Sequence, residues 1–332
     1  MAHLIDLSNN RSNIAYVGQR PWHNLGEKLP EDASIEEWRI AAGLDWTAQK
    51  RPAFFGIMDS EGNKKAQPSK NHSFIVRSDT QTELGLVSTN RYNIVQPGEA
   101  LEFYRDLTNN FGYTLETAGA LDDGKRIWAL AKTNKTTRIH GTDQVDGYLM
   151  FTTSFDGKSS TQVLFTTVRV VCWNTLSYSL QKDGQALQTS ISVPHSRAFD
   201  EDQVKHQLGI YGQAWSQFEE DANLLASTKL TQDNRMEFFR EFFGEEAFDA
   251  QIQKAEKNKS NILEKIIQKS VAGIGQDLPS AKNTMWGLVN GVTEYYDHAA
   301  QTKKDKRMNS AYFGSAAKQK AKAMEIALKL AS

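Results

Sequence analysis

A single cysteine, Cys172, stands among 332 residues, which excludes an internal disulfide framework and any zinc site built on paired cysteines. Flanked by Val171 and Trp173, that thiol reads as small apolar packing rather than as a nucleophile. No run approaches the 18 consecutive apolar residues of a membrane span, and the opening MAHLIDLSNNRSN has neither a basic n-region nor an apolar h-region. The expectation is a soluble, unsecreted, cytoplasmic protein without membrane contact. Catalytic signatures are missing too. The chain holds no GxxxxGK[ST] loop, no GxGxxG after a strand, no HExxH, no CxxC pair and no GxSxG elbow. Its seven histidines include no two at metal-ligand spacing on one helix face. Asp122-Asp123 and Glu219-Glu220-Asp221 read as a turn and a solvated helix face rather than as acid/base pairs. No metal, cofactor or catalytic residue is therefore expected.

The most informative stretch present is Thr161 to Leu180, TQVLFTTVRVVCWNTLSYSL. Extended, it places Val163, Phe165, Thr167, Arg169 and Val171 on one face. Arg169 must be paired in the interior or point at something anionic, because an unpaired buried guanidinium is very expensive. Asn174 and Thr175 are good N-cap types, so the strand is expected to hand over to a helix.

Along the chain, Ser34 with Glu37 forms a capping-box pattern ahead of an apolar face at Ile35, Trp38, Ala41 and Ala42 that ends at Gly43. Strands at Trp46 to Met58 and Ser73 to Arg77 flank DSEGNKKAQPSKN, read as a long hairpin with a basic, flexible tip. A short strand over Leu84 to Val87 precedes a helix opened by Pro97 and closed by Gly112. Tyr113 to Leu121, the Asp122-Asp123-Gly124 turn and Arg126 to Lys132 form the best hairpin signal. Gly147 to Phe155 and Thr161 to Val171, about Asp156-Gly157, form another. Beyond Val193-Pro194-His195 the pattern turns almost wholly helical, with Thr231 and Ser280 as N-caps. The predicted class is α+β: an antiparallel sheet with packed helices over residues 1–192, then an all-helical region over residues 193–332 with a basic tail.

The net charge of −1 conceals basic segments. Residues 301–332 carry eight Lys or Arg against two carboxylates, and a second concentration spans Lys254 to Lys269. Either is a solvated helix face or a phosphate contact. Around the predicted sheet, Arg91, Arg126 and Arg169 are candidate phosphate contacts, and Tyr92, Tyr113 and Trp128 candidate stacking platforms. Lys64, Lys65 and Lys70 at the hairpin tip would add a secondary contact. Single-strand binders combine such a positive groove with aromatics on which bases stack, each stack worth ~1–3 kcal/mol. Core aromatics and surface arginines would give the same list.

GQRPWHNLGEKLPEDASIEEWRIAAGLDW, STNRYNIVQPGEALEF, TTVRVVCWNTL, MWGLVNGVTEYYDH and AYFGSAAKQKAKAMEIAL together resemble the phage/plasmid-like protein family, a domain of unknown function. That resemblance implies a gene of phages, prophages or plasmids, hence a host bacterial cytoplasm. In topology the order of elements from Phe111 to Arg169 is also similar to the β-β-β-α core of single-strand annealing recombinases of the RecT, Redβ and Erf types. This similarity implies an oligomeric ring or filament that binds and anneals single-stranded DNA without ATP, in recombination or replication. The basic C-terminus is the expected contact for a host or phage protein. Two other readings stay open: a protein-interaction module inhibiting a host defence system, and a nucleic-acid-processing enzyme with carboxylates gathered by the fold.

Overall fold

The computed structural model describes residues 5–18, 25–169, 174–176, 180–182, 185–187, 190–208, 211–256, 261–300, 310 and 314–332. The chain divides into two compact units. The first comprises residues 1–134, 149–164 and 190–208, and the second residues 135–148, 165–189 and 209–332. The class is α+β, with antiparallel sheets and a helical C-terminal region.

Two sheets and three helices lie wholly or partly in the first unit, with residues 135–139, 143–148 and 165–169 of the larger sheet belonging to the second. Strands β1 (Ile14–Tyr16), β2 (Glu27–Lys28), β6 (Thr114–Leu121), β7 (Arg126–Ile139), β8 (Asp143–Ser154) and β9 (Thr161–Arg169) run in the order β9-β8-β7-β6-β1-β2, and β13 (Ser190–Val193) pairs with β9. The β6–β7 hairpin turns through residues 122–125 beyond the Leu121↔Arg126 pair, with Asp122, Asp123 and Gly124 all at positive φ. Helix α1 (Ile35–Ala41) has the predicted capping box, with Ser34 and Glu37 exchanging bonds, and buries Trp38. Helix α2 (Pro97–Phe111) starts on Pro97 and ends at Gly112, whose φ of 69° is the left-handed cap a glycine accepts without strain. Its Tyr104 hydroxyl lies 3.0 Å from the carbonyls of both Ala129 and Leu149, tying the helix to two strands. Helix α3 is Glu201–Leu208.

The second sheet holds β3 (Ala48–Met58), β4 (Lys64–Arg77) and β5 (Glu83–Ser88) in sequence order. Here the expected flexible tip is corrected. Lys64, Lys65 and Lys70 lie on β4 itself, and the connection shrinks to residues 59–63. Cross-strand pairing propagates through Met58↔Lys64 to Phe54↔Pro68, so turn-forming residues are drawn into a ladder. Pro68 is tolerated beside an irregularity of register between Pro52 and Phe54.

In the second unit, residues 174–176 correct another expectation. They form β10 (Asn174–Leu176), an antiparallel strand against Thr167 to Arg169, where a helix N-terminus was predicted. Sheet pairing outweighs the capping tendency of Asn174 and Thr175, and threonine is itself a good strand former. A hairpin of β11 (Leu180–Lys182) and β12 (Gln185–Leu187) follows. Then come α4 (Tyr211–Ser227), α5 (Gln232–Phe243), α6 (Glu245–Glu256), α7 (Ile262–Ala272), α8 (Met285–Glu294), one π-helical turn (Tyr295–Ala299) and α9 (Ser315–Ala331). Thr231 caps α5 as predicted. Ser280 does not cap α8: its buried hydroxyl donates to Asp143 Oδ2 at 2.7 Å, and Thr284 takes the cap. Every residue of α8 is buried. Among the described residues, no helix is long and apolar enough to cross a membrane.

Candidate functional site

Two features of the first unit carry cations and exposed surface together. One is the outer part of the β3–β4 ribbon. Phe54, Phe55 and Met58 are 59%, 49% and 64% exposed, and Ile57 is exposed beside them. Cross-strand partners share a face, so Met58 stands with Lys64 and Ile57 with Lys65. Each face therefore mixes apolar and cationic side chains. From Ala48 to His72 the chain has five Lys or Arg against Asp59 and Glu61. Lys65 reaches Asp59 at 3.0 Å, an exposed contact of small energetic weight.

The ribbon base leads to the second feature. His72 pairs with Ser88, and Lys50 Nζ donates to the Thr89 carbonyl at 2.7 Å. Beyond Thr89, Arg91 and Tyr92 border a cleft of about 250 Å³ whose other walls are the β8–β9 turn and the Pro194–Ser196 turn. That wall is held closely. Ser154 Oγ donates to the Ser159 carbonyl at 2.8 Å and accepts from the Ser159 N–H at 3.2 Å. Asp156 Oδ1 accepts the Lys158 N–H at 3.0 Å, and Gly157 takes a φ of 73°. A side chain at Gly85 would meet the Asp156 backbone at 2.5 Å, so a bare glycine lets β5 close against the turn.

Across the cleft, Tyr92 and His195 stack with ring centroids 4.2 Å apart. The Asn93 N–H and side-chain amide both donate to the His195 carbonyl, at 2.6 and 3.0 Å. His195 Nδ1 donates to the Asn93 carbonyl at 2.8 Å, while buried Nε2 has no hydrogen-bond partner and the Ser159 carbonyl also acts on the ring. Burial holds the imidazole below its ordinary pKa, opposed by these carbonyls and by Asp156. The Tyr92 hydroxyl donates to the Ser154 carbonyl at 2.5 Å, and burial, then Asp156, push its ionisation far up. Arg126 hydrogen-bonds the Ser159 hydroxyl from behind the wall. Burial depresses its pKa against the pull of Asp156 and Asp122.

Thus Arg91, Tyr92 and Arg126, expected to act together, do converge at one turn. The others do not. Trp128 is 3% exposed on the central strand β7, opposite Gly119, and presents no ring face to solvent. Tyr92 is also buried, its ring covered by His195. Tyr113, half-buried, lines a separate cleft with Trp38 and Arg105. Ile127 to Ala131 are buried on both faces of β7, which is why Trp128 serves packing, while the exposed rings of Phe54 and Phe55 lie on the ribbon. Arg169 pairs with Asn174 through its backbone; its side chain, Cys172 and Trp173 lie outside the described residues. So do Lys303, Lys304, Lys306 and Arg307 of the basic tail. Within α9, Lys320 is buried against Asp297 at 2.7 Å, Lys322 donates to the Phe242 carbonyl at 2.9 Å, and Lys329 pairs with Glu241.

Sequence reasoning missed Lys158, Ser159 and His195 as neighbours. His195 was legible only as a boundary residue after Pro194, and Gly157 only as a turn.

No curated protein and no solved structure matches the chain. Residues 83–315 match the family described as Domain of unknown function (DUF932). The cleft falls inside that segment and the outer ribbon precedes it. Because the match spans more than two thirds of the 332 residues, the chain belongs to the DUF932 family.

Proposed function

We propose that this chain binds single-stranded DNA for a phage or plasmid and, as an oligomer, presents the bound strand for annealing without ATP, in recombination or replication. The observation that carries the reading is the β3–β4 ribbon. Its solvent-exposed Phe54 and Phe55 offer stacking faces, and Lys64, Lys65 and Lys70 on the paired strand offer phosphate contacts. An apolar docking arm for a protein would have little use for five cations over the same 25 residues. The phage or plasmid setting and the annealing step rest on the sequence resemblances alone.

Fluorescence anisotropy with a labelled oligothymidylate across a salt series is the test. Binding is expected at low salt, with affinity falling steeply as salt rises. Absence of binding at low ionic strength would remove the function. Replacing Phe54 and Phe55 together by serine should weaken binding by roughly tenfold or more, since each lost stack removes ~1–3 kcal/mol. Mass photometry examines the oligomer separately, and a strictly monomeric species with DNA bound would remove the annealing assembly.

A further inference from the structure

We infer that the cleft between Arg91 and the β8–β9 turn is a binding site for a phosphate monoester, distinct from the ribbon. None of the residues lining it is acidic, whereas Arg91 and Lys158 and the four serines Ser88, Ser159, Ser160 and Ser196 are among them. Arg91 is exposed and, among the described residues, has neither an ion-pair nor a hydrogen-bond partner. Lys158 is 80% exposed; its one carboxylate neighbour, Asp156, lies 3.5 Å away and is already engaged by the Lys158 N–H. Arg91 and Lys158 both border this small concavity, so an anion held in it would be attracted by both. A guanidinium fork and an ammonium match phosphate oxygens.

Size narrows the ligand. Drug-sized ligands fill pockets of about 300–1,000 Å³, and this cleft, at about 250 Å³, suits one phosphate with part of its sugar. A dianionic monoester gains more from two nearby cations than the single charge of an internal phosphodiester. The walls are preorganised to receive it. Ser159 is fixed by Ser154 and Arg126, Ser160 Oγ lies 2.6 Å from Ser192 Oγ, and the His195–Asn93 clamp ties the opposite wall together. The ligand has two sources, the terminal phosphate of a nucleic-acid strand and a free nucleotide. The first rests on the single-strand reading and the second does not.

Isothermal titration of the full chain with AMP, and anisotropy with one oligonucleotide carrying a 5′-phosphate, a 3′-phosphate or neither, test the site. AMP should bind one per chain, and Arg91→Ala and Lys158→Ala should each weaken it at least tenfold; both side chains are exposed, so both variants should fold. A terminal phosphate that tightens strand binding, with the gain lost in Arg91→Ala, also supports the site and assigns the strand end as its source. AMP binding without any strand binding keeps the cleft and removes the single-strand function. Failure of AMP, together with equal affinities for the three oligonucleotides, overturns the site and leaves the ribbon's function untouched. An Arg91→Ala variant that weakens unphosphorylated DNA as much as phosphorylated DNA likewise overturns it, marking Arg91 as a backbone contact.

Discussion

Among the described residues, Arg77 is a fully buried guanidinium. It is 1% exposed, donates to Asp6 at 2.5 Å and Asp79 at 2.8 Å, and lies over the Trp46 ring at 4.5 Å. Burial works against the charge on each partner. Hydrogen bonds from Ser8 and Arg77 nevertheless hold Asp6 below its usual range, and bonds to Asp79 and Asp6 raise Arg77. Gly124 completes the site, since a Cβ there would come within 2.7 Å of the guanidinium. Arg77→Ala should cost ~3–5 kcal/mol, because it strands the buried Asp6 carboxylate, and Arg77→Lys should not restore it, lacking the planar fork. Urea denaturation checks both, and a loss below ~1 kcal/mol would contradict this account. His195 gives a pH signature of opposite chemistry. Its folded pKa lies below the free value of about 6.5, so the unfolded chain takes the proton first. The contribution is whole above about pH 6.5 and declines as pH falls from there toward the folded value. The stability of His195→Gln should accordingly fall less than that of the wild type between about pH 6.5 and 5, read as the difference between two urea series. Neither residue announced itself in sequence. Strand periodicity marks where an arginine lies, and only the fold reveals that Asp6, 71 positions away, is its partner.

Elements whose rules are local were read well, and those that depend on distant pairing were not. The capping boxes at Ser34 and Thr231, the left-handed close at Gly112 and the Asp122-Asp123 turn each depend on a few adjacent side chains. Asn174-Thr175 and Ser280 are the counterexamples: both present capping chemistry, and both are captured by remote partners, the β9 backbone and Asp143. The ribbon belongs with them, for only the β3 register turns a polar stretch into strand. Helix α8 shows a close approach that sequence spacing hints at. Gly287 and Gly291 lie one turn apart, and added Cβ atoms would meet the Ala281 carbonyl oxygen at 2.0 Å and the Ser270 backbone at 2.6 Å. In an exposed helix Gly→Ala gains roughly 0.5–1 kcal/mol. Here overpacking against backbone should reverse the sign, so Gly291→Ala is expected to destabilise by ~1–3 kcal/mol. A thermal midpoint unchanged or raised in that variant would show that α7 can move away.

At the scale of the whole molecule, a formal charge of −1 and a sequence pI of about 6.7 give a polyanion no long-range reason to approach. If the chain binds a strand, attraction must come from the local track of Lys64, Lys65 and Lys70 on the ribbon, within about one Debye length, ~8 Å at physiological ionic strength. Salt dependence can therefore count the contacts. Each phosphate neutralised on a single strand contributes about −0.7 to the slope of log K against log salt. If these three cations each meet one phosphate, the slope should be roughly −2.1. Replacing Lys64 and Lys65 together by alanine should then flatten it by about 1.4. These lysines are exposed, so stability should hardly change. The sequence-independence of the contact gives a second arm, since oligothymidylate and mixed-sequence strands should share one slope. A steep slope that the double substitution leaves intact would move the strand to other cations, the residues 303–307 among them. A slope near zero with measurable binding would mean that the aromatic faces alone hold the strand, and Phe54 and Phe55 would then account for nearly all of the affinity.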